Sequence, residues 1–344
     1  MDKVNKEQVL INKRTTSVDV AKAAGVSQST VSRAFYKDSN LKEETRKKVL
    51  EVAKELGYKP NAIARSLISN KTNIIGIVMG DVESPFYAYI LTSITQRLRE
   101  IGKQILVFNV KHNEEVDSVL SSVLQYQVDG IIITHASIST ELATECTKNN
   151  IPVVLFNRLV PGARVSAVCC DNVTAVRDVV NYLVQDKGFK NIAYITGTEN
   201  SSTNLDRKKG FIDRLKELGI QNYIIEFGDY TYESGKEAIK SILEKGDIPD
   251  AIFCANDLMA LGVMDYLRFN EGVKIPEYVS IVGFDDIYMA AWPSYSLTTI
   301  RQPIEKMVDA LIQLLENKLS DSNLESVTKL FQGELVIRNS SEKK

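Results

Sequence analysis

Within the stretch SQSTVSRAF, the side chains of Gln28, Ser29, Ser32 and Arg33 share one face of a short helix, opposite Val31. An amide, hydroxyls and a guanidinium are the groups that touch base edges and phosphates, and the guanidinium can fork onto guanine O6 and N7. A solvated helical face carries the same residue types. Here they coincide with a glycine turn, small packing residues and local positive charge, and that coincidence favours nucleic-acid contact.

Elsewhere the polar residues Asp81, Thr134, Asn157, Asn256 and Asp285 end predicted strands. Parallel α/β lobes bind small polar molecules at the carboxyl ends of their strands, and several of these side chains can hold hydroxyls. Ordinary turns use the same residues, so position alone leaves both readings open. Catalysis has less to work with: there is no G-x-S-x-G elbow, P-loop or G-x-G-x-x-G, and His112 and His135 are the only histidines. GVSQS is only superficially like a nucleophile elbow, since it lies in a helical region and lacks the final glycine. Cys146, Cys169, Cys170 and Cys254 show neither zinc spacing nor a simple disulfide framework and read as buried structural thiols. No enzyme activity, metal or cofactor is expected.

The first set of residues needs a scaffold. SVDVAKAA and SQSTVSRAF are predicted as two short helices crossing steeply, with Val20, Ala21, Val26, Val31 and Ala34 buried between them. Ala21 keeps them close, and Gly25 supplies the turn, where a positive φ is easiest. A third helix, EETRKKVLEVAKELG, places Val49, Val52, Ala53 and Leu56 at i, i+3, i+4 and i+7 to close a small core. In YKPNAIARSLISNKT, Pro60 and Asn61 can start a further helix carrying Ala64, Arg65 and Leu67 within two turns. A helix of about eight residues is marginal in water, so this one would order only against a partner; a plain linker fits the same pattern.

From NIIGIVMG onward the texture changes. QILVFNV, DGIIITH, PVVLFNR, NIAYITG, YIIEFGD, AIFCAND and VSIVGFDD are strand candidates, nearly all separated by helical patterns. Continuous apolar strands mean sheets covered on both faces, hence a parallel α/β architecture. A body of this size divides into two doubly wound lobes. FNRLVPGARVSAVCCDN is expected as the irregular passage between them, and LTTIRQP with the helix IEKMVDALIQLLENKL as the return to the first lobe. Charge divides in step: residues 1–71 hold 15 Lys and Arg against 8 Asp and Glu, and the remainder holds 27 against 36. A basic head on an acidic body points to a polyanion at the head alone.

TSVDVAKAAGVSQSTVSRAF with GYKPNAIARSL, followed in order by RKKGF, ANDLMALG, GFDD and LTTIRQP, resembles the lactose/galactose repressor (LacI/GalR) family of bacterial transcription regulators. The resemblance runs from Thr16 to Arg338. It implies a small all-α helix-turn-helix head plus an α/β body of two doubly wound parallel-sheet lobes, like those of periplasmic binding proteins. The implied divisions are an N-terminal extension (1–15), a helix-turn-helix domain (16–59), a hinge helix (60–71) and an effector-binding and dimerisation body (72–338). Within the body, the first lobe is 72–171 with 303–338 and the second is 172–302; a tail follows at 339–344. The second helix would enter the major groove with Gln28, Ser29 and Arg33 at base-reading positions, and Thr16, Ser27 and Thr30 near phosphates. Asn61, Ala64 and Leu67 would belong to a hinge helix that forms on a double-stranded, pseudo-palindromic operator, with Leu67 wedged into a central minor-groove step.

In the body the same resemblance places Arg207 and Gly210 in an R-x-x-G pattern whose arginine grips ligand oxygens. It gives Asp285 of GFDD to sugar hydroxyls, and Phe86 and Tyr230 to stacking on the ligand. Asn157, Asn256 and Gln302 match further polar contacts, with His112 and Thr134 as weaker candidates. An aromatic floor with a charged fork suits a sugar, and His112 and Arg207 also admit a sugar acid or a sugar phosphate. A two-fold operator implies a homodimer. PFYAYILTSITQRLREIG and NDLMALGVMDYLRF are the candidate contacts, and no leucine heptad follows for a tetramer. The implied function is a repressor whose operator binding such an effector controls; the alternatives are a transport-type sugar-binding protein and a sugar-metabolising α/β enzyme. MDKVNKEQVLINKR lacks the apolar core of a signal peptide and no apolar run reaches membrane-spanning length, so a cytoplasmic, nucleoid-associated location without a membrane partner is expected.

Overall fold

The computed structural model describes residues 15–35, 39–60, 71–80, 83–110, 116–134, 146, 149–160, 162–246, 248–321 and 323–342. The chain forms two compact units, divided between Asn73 and Ile74.

In the first unit, α1 (Ser17–Ala24), α2 (Gln28–Ala34) and α3 (Glu43–Glu55) enclose Val20, Ala21, Ala24, Val31, Ala34, Val49 and Ala53. The alanines let the helices cross closely. Thr16 and Asp19 cap α1 reciprocally: Thr16 N donates to Asp19 Oδ2 at 2.8 Å, and Thr16 Oγ1 accepts from Asp19 N at 3.4 Å. The helix ends at Gly25, whose φ of 65° is left-handed, and Val26 N returns to Ala21 O at 3.0 Å. Leu56 departs from expectation. Helix α3 stops at Glu55 and Leu56 is 41% exposed; Tyr58, edge-on to Phe35 at 5.9 Å, packs against the core in its place.

The second unit is α/β. It begins with β1 (Ile74–Gly80), α4 (Pro85–Glu100), β2 (Gln104–Val110), α5 (Val116–Gln125), β3 (Gly130–Ile133), β4 (Val153–Phe156) and β5 (Ser166–Cys170). Next come α6 (Asn172–Asn181), which runs into a π-helical turn, β6 (Ile192–Ile195), α7 (Ser202–Glu217), β7 (Tyr223–Glu226) and α8 (Tyr232–Lys245). The chain ends with β8 (Ala251–Cys254), α9 (Asp257–Phe269), β9 (Ser280–Val282), β10 (Thr299–Arg301), α10 (Ile304–Ser320), β11 (Thr328–Phe331) and β12 (Glu334–Val336).

Two parallel sheets result, in the orders β11-β5-β4-β3-β1-β2 and β7-β6-β8-β9, while β10 pairs antiparallel with β12. In the larger sheet alternate residues face opposite ways. Ile75, Ile77, Met79, Ile132, Val154 and Phe156 join a core with α4 and α10, whereas Val78, Ile131, Ile133, Val153 and Leu155 form a second core on the other face. Burial on both faces is why these strands are apolar at every position.

Two segments differ from the sequence reading. SAVCC, expected within an irregular passage, is the buried strand β5, hydrogen-bonded to β4 and β11. Residues 339–341, expected as tail, return to the smaller sheet: Ser340 Oγ donates to Ile281 O at 2.6 Å, and Ser340 and Ser341 are buried. NDLMALGVMDYLRF forms α9, whose Met259, Ala260, Val263, Met264 and Leu267 pack into the core against α8. The chain passes between the two sheets three times: from β5 into α6, from β10 into α10, and from β11 into β12.

Candidate functional site

Ser27 caps α2, its hydroxyl accepting from Thr30 N at 3.2 Å and lying 2.9 Å from Ser29 Oγ and 2.8 Å from Thr30 Oγ1. Burial of Val31 and Ala34 leaves Gln28, Ser29 and Arg33 exposed and Thr30 and Ser32 half-buried. Gln28 Nε2 donates to Ser17 Oγ at 2.9 Å, joining the first turns of α1 and α2, and Arg33 Nε donates to Ser29 O at 3.4 Å. Thr16 is exposed at the start of α1. Asn61, Ala64 and Leu67 lie outside the described residues, as do Asp81 and His112.

In the second unit the polar residues gather where strands of both sheets end. Arg207, in the second turn of α7, is 2% exposed. Its Nε donates to Asn172 Oδ1 at 2.9 Å, its Nη1 to Ala255 O, and its guanidinium lies 3.6 Å from the centre of the Phe284 ring. Gly210 completes the R-x-x-G spacing for a packing reason. A Cβ there would stand 2.7 Å from Val173 O, so glycine lets α7 lie against α6. Arg207 Nη2 is 3.7 Å from Asp285 Oδ1, which also accepts from Gln302 Nε2 at 2.8 Å. Burial pushes the Asp285 carboxyl up to about 6, with Arg207 and the Gln302 hydrogen bond opposing. Phe86, Asp285 and Gln302 line one cavity of about 440 Å³.

A second network meets the first. Asn256 caps α9, accepting from Met259 N at 3.0 Å, and its Nδ2 donates to Tyr230 O at 2.8 Å. The Tyr230 hydroxyl lies 3.1 Å from Ser201 Oγ and 3.3 Å from Thr203 Oγ1. Asn157 and Thr134, directly after β4 and β3, are buried. Four buried polar atoms of this region lack a hydrogen-bond partner among the described residues: Thr134 Oγ1, Asn157 Oδ1, Arg158 Nε and Gln302 Oε1. Such atoms are rare in folded proteins and mark places where a ligand can supply the missing partner. Backbone strain concentrates here too, with φ of 57° at Asn157, 73° at Tyr230 and 121° at Asp285.

Sequence reading missed Arg158, Thr203 and Tyr87. Arg158, 8% exposed, donates through Nη1 to Thr203 Oγ1 and through Nη2 to the Tyr87 hydroxyl at 3.3 Å, and Leu159 N donates to Ser202 Oγ at 2.9 Å. These bonds join the end of β4, in the larger sheet, to the first turn of α7, beside the smaller one. The available signal was position, since Arg158 follows Asn157 at a strand end. The four cysteines are buried, and burial pushes Cys169 and Cys170 up to about 12, so both stay thiols. Among the described residues no His, Cys, Asp and Glu cluster is placed to hold a metal ion, and no helix is long and apolar enough to cross a membrane.

Comparison with known proteins matches this arrangement over most of its length. Residues 72–338 match the family described as periplasmic binding proteins and sugar binding domain of LacI family, and residues 16–61 match bacterial regulatory proteins, lacI family. The chain belongs to the LacI family. Among LacI-family relatives, catabolite control protein A of Priestia megaterium is 36% identical over 90% of this chain and 94% of its own. The transcriptional repressor CytR of Escherichia coli K12 is 32% identical over 95% of this chain and 96% of its own. The lac repressor dimer bound to operator and the anti-inducer ONPF superposes with a TM-score of 0.86 at 27% identity, covering 96% of this chain and 99% of that one. A complex of the regulator CelR with cellobiose gives 0.72 at 29% identity, covering 95% and 100%. As a LacI-family member, the protein is a DNA-binding transcriptional regulator with a sugar-binding type of body, and not an enzyme.

Proposed function

We propose that this LacI-family regulator is a repressor that holds a pseudo-palindromic operator as a homodimer, and that a small polyhydroxylated effector bound between the two sheets of the body changes that hold. The observation that carries the reading is the bridge across the body. Arg158 at the end of β4 bonds Thr203 of α7, and Arg207 of α7 faces Asp285, which Gln302 also bonds. One molecule contacting these groups touches both lobes and so responds to the angle between them. Phe86 and Tyr230 supply faces for its C–H surfaces, and Asn157, Asn256, Gln302 and Thr134 supply polar contacts; His112 is a further candidate.

In this reading Gln28, Ser29 and Arg33 meet base edges and Thr16, Ser27 and Thr30 meet phosphates. Residues 16–59 form the reading domain, 60–71 the hinge with Asn61, Ala64 and Leu67, and 72–338 the body. The protein acts in the cytoplasm, at the nucleoid. An effector transmits something only if it prefers one arrangement of the lobes, because equal affinity for both shifts neither.

The deciding experiment measures the full chain's affinity for operator-type duplexes against a sugar panel, over a range of salt. Specific binding absent even at low salt would sink the reading. Leu67→Ala should weaken specific binding far more than non-specific binding, and equal losses would reject the wedge.

A further inference from the structure

Arg158 is the guanidinium of the candidate site that makes no ion pair among the described residues, although Asp285 is near enough for Arg158 to help hold its carboxyl down. It is 8% exposed, and its hydrogen-bond partners are neutral hydroxyls, those of Thr203, Tyr230 and, at 3.3 Å, Tyr87. Its Nε has no partner. The buried carboxylates of this half of the body have their closest bonds elsewhere. Asp285 serves Arg207 at 3.7 Å and Gln302 at 2.8 Å; Asp171 caps α6 through Thr174 N at 3.0 Å; Asp286 pairs with Arg301 at 2.7 Å and Arg338 at 2.6 Å. Asp257 is held by Thr299 Oγ1 at 2.5 Å and Ile287 N at 2.8 Å. Asp206, half-buried on α7, makes no ion pair with Arg158. A buried charge with no carboxylate bonded to it is costly to keep, and here it faces the first turn of a 16-residue helix, whose dipole also favours an anion.

We infer that the effector is a polyhydroxylated anion, a sugar acid or a sugar phosphate, and that Arg158 holds its charged group. The inference rests on the effector reading of this site. The two unpaired acceptors, Asn157 Oδ1 and Gln302 Oε1, require O–H or N–H donors, which a fully deprotonated anion such as sulfate does not offer and a sugar's hydroxyls do. Anion and hydroxyls are therefore required of the same molecule. Arg207, already shared between Asp285 and Asn172, serves the hydroxyl-bearing part.

The test titrates the full-length protein calorimetrically with matched sets of pentoses and hexoses, their aldonic and uronic acids, and their phosphates, and repeats each titration with Arg158→Met and Arg158→Lys. At least one acid or phosphate should bind about 100-fold more tightly than its neutral parent. Arg158→Met should reduce that advantage to within about threefold and Arg158→Lys should restore part of it. Which anion wins separates a carboxylate from a phosphate. Neutral sugars binding as well as or better than their anionic partners would overturn the inference while leaving the effector reading intact, and so would an anion advantage that survives Arg158→Met. Binding by no member of the panel, with no change in operator affinity, would reject the effector reading itself. A second measurement guards against a structural role: the ligand-free Arg158→Met protein should unfold at or above the wild-type temperature. A clear fall would make the guanidinium a strut and overturn the inference.

Discussion

Thr299 donates its hydroxyl to Asp257 Oδ1 at 2.5 Å in the interior of the second unit, where both residues are fully buried. Ile287 N donates to the other carboxylate oxygen at 2.8 Å. Burial, with the nearby charge of Asp285, pushes Asp257 up to about 8 against the pull of these two bonds. In the unfolded chain the same group ionises near about 3.9. Between those values the folded protein keeps a proton that the unfolded chain releases, so this group's contribution makes stability fall as pH rises through the window. Asp257→Asn should therefore gain on the wild type in thermal unfolding from about pH 5 to about pH 8. A difference in midpoint that stays constant over that range would show that Asp257 is ionised throughout.

The contact of Gly210 with Val173 sets a second expectation. An added methyl would meet a backbone carbonyl at 2.7 Å rather than the end of a flexible side chain. Gly210→Ala should cost about 1–3 kcal/mol in urea unfolding. It should also weaken effector binding, because Arg207 sits one turn earlier on the same helix. An unchanged urea midpoint would mean that α7 and α6 part without cost.

Arg207→Ala should abolish the effector response and leave operator affinity of the ligand-free protein within a few-fold of wild type. Fluorescence anisotropy on labelled operator, with and without effector, reads both. A preserved response removes Arg207 from the site.

The head separates folding from reading. Ser27→Ala removes the cap of α2 and should cost about 1 kcal/mol of stability, lowering affinity for every sequence alike. Gln28→Ala should leave stability nearly unchanged and relax discrimination at one base pair by about 1–3 kcal/mol. Affinities across single-base operator variants distinguish the two, and a uniform loss for Gln28→Ala would take it off the base edges.

What could be read in advance followed the range of the forces involved. Helices α1 and α2 were legible nearly to the residue because Thr16, Gly25 and Ser27 act within four positions of themselves. The apolar strands were legible because burial on both faces leaves no polar positions. Strand β5 was not, since SAVCC has a single β-branched residue and is a strand by virtue of β4 and β11 on either side. Leu56 continues the periodicity of α3 but falls after the helix has ended, and periodicity does not see ends. Arg158 looked like any residue after a strand. Its burial among hydroxyls, with no ion pair among the described residues, arises only when α4 and α7 close over it. The positive φ values at Asn157, Tyr230 and Asp285 were equally silent, because no glycine announces them.

The three passages of chain between the sheets have a mechanical consequence. Two bodies tied at one point can slide or separate, whereas two tied at three retain little except a swivel about an axis near the ties. An effector bound at Arg158 and Arg207 would therefore work as a torque. A fraction of an ångström at the cleft would become an arc that lengthens with distance from the axis, and the residues farthest from the three passages would travel most.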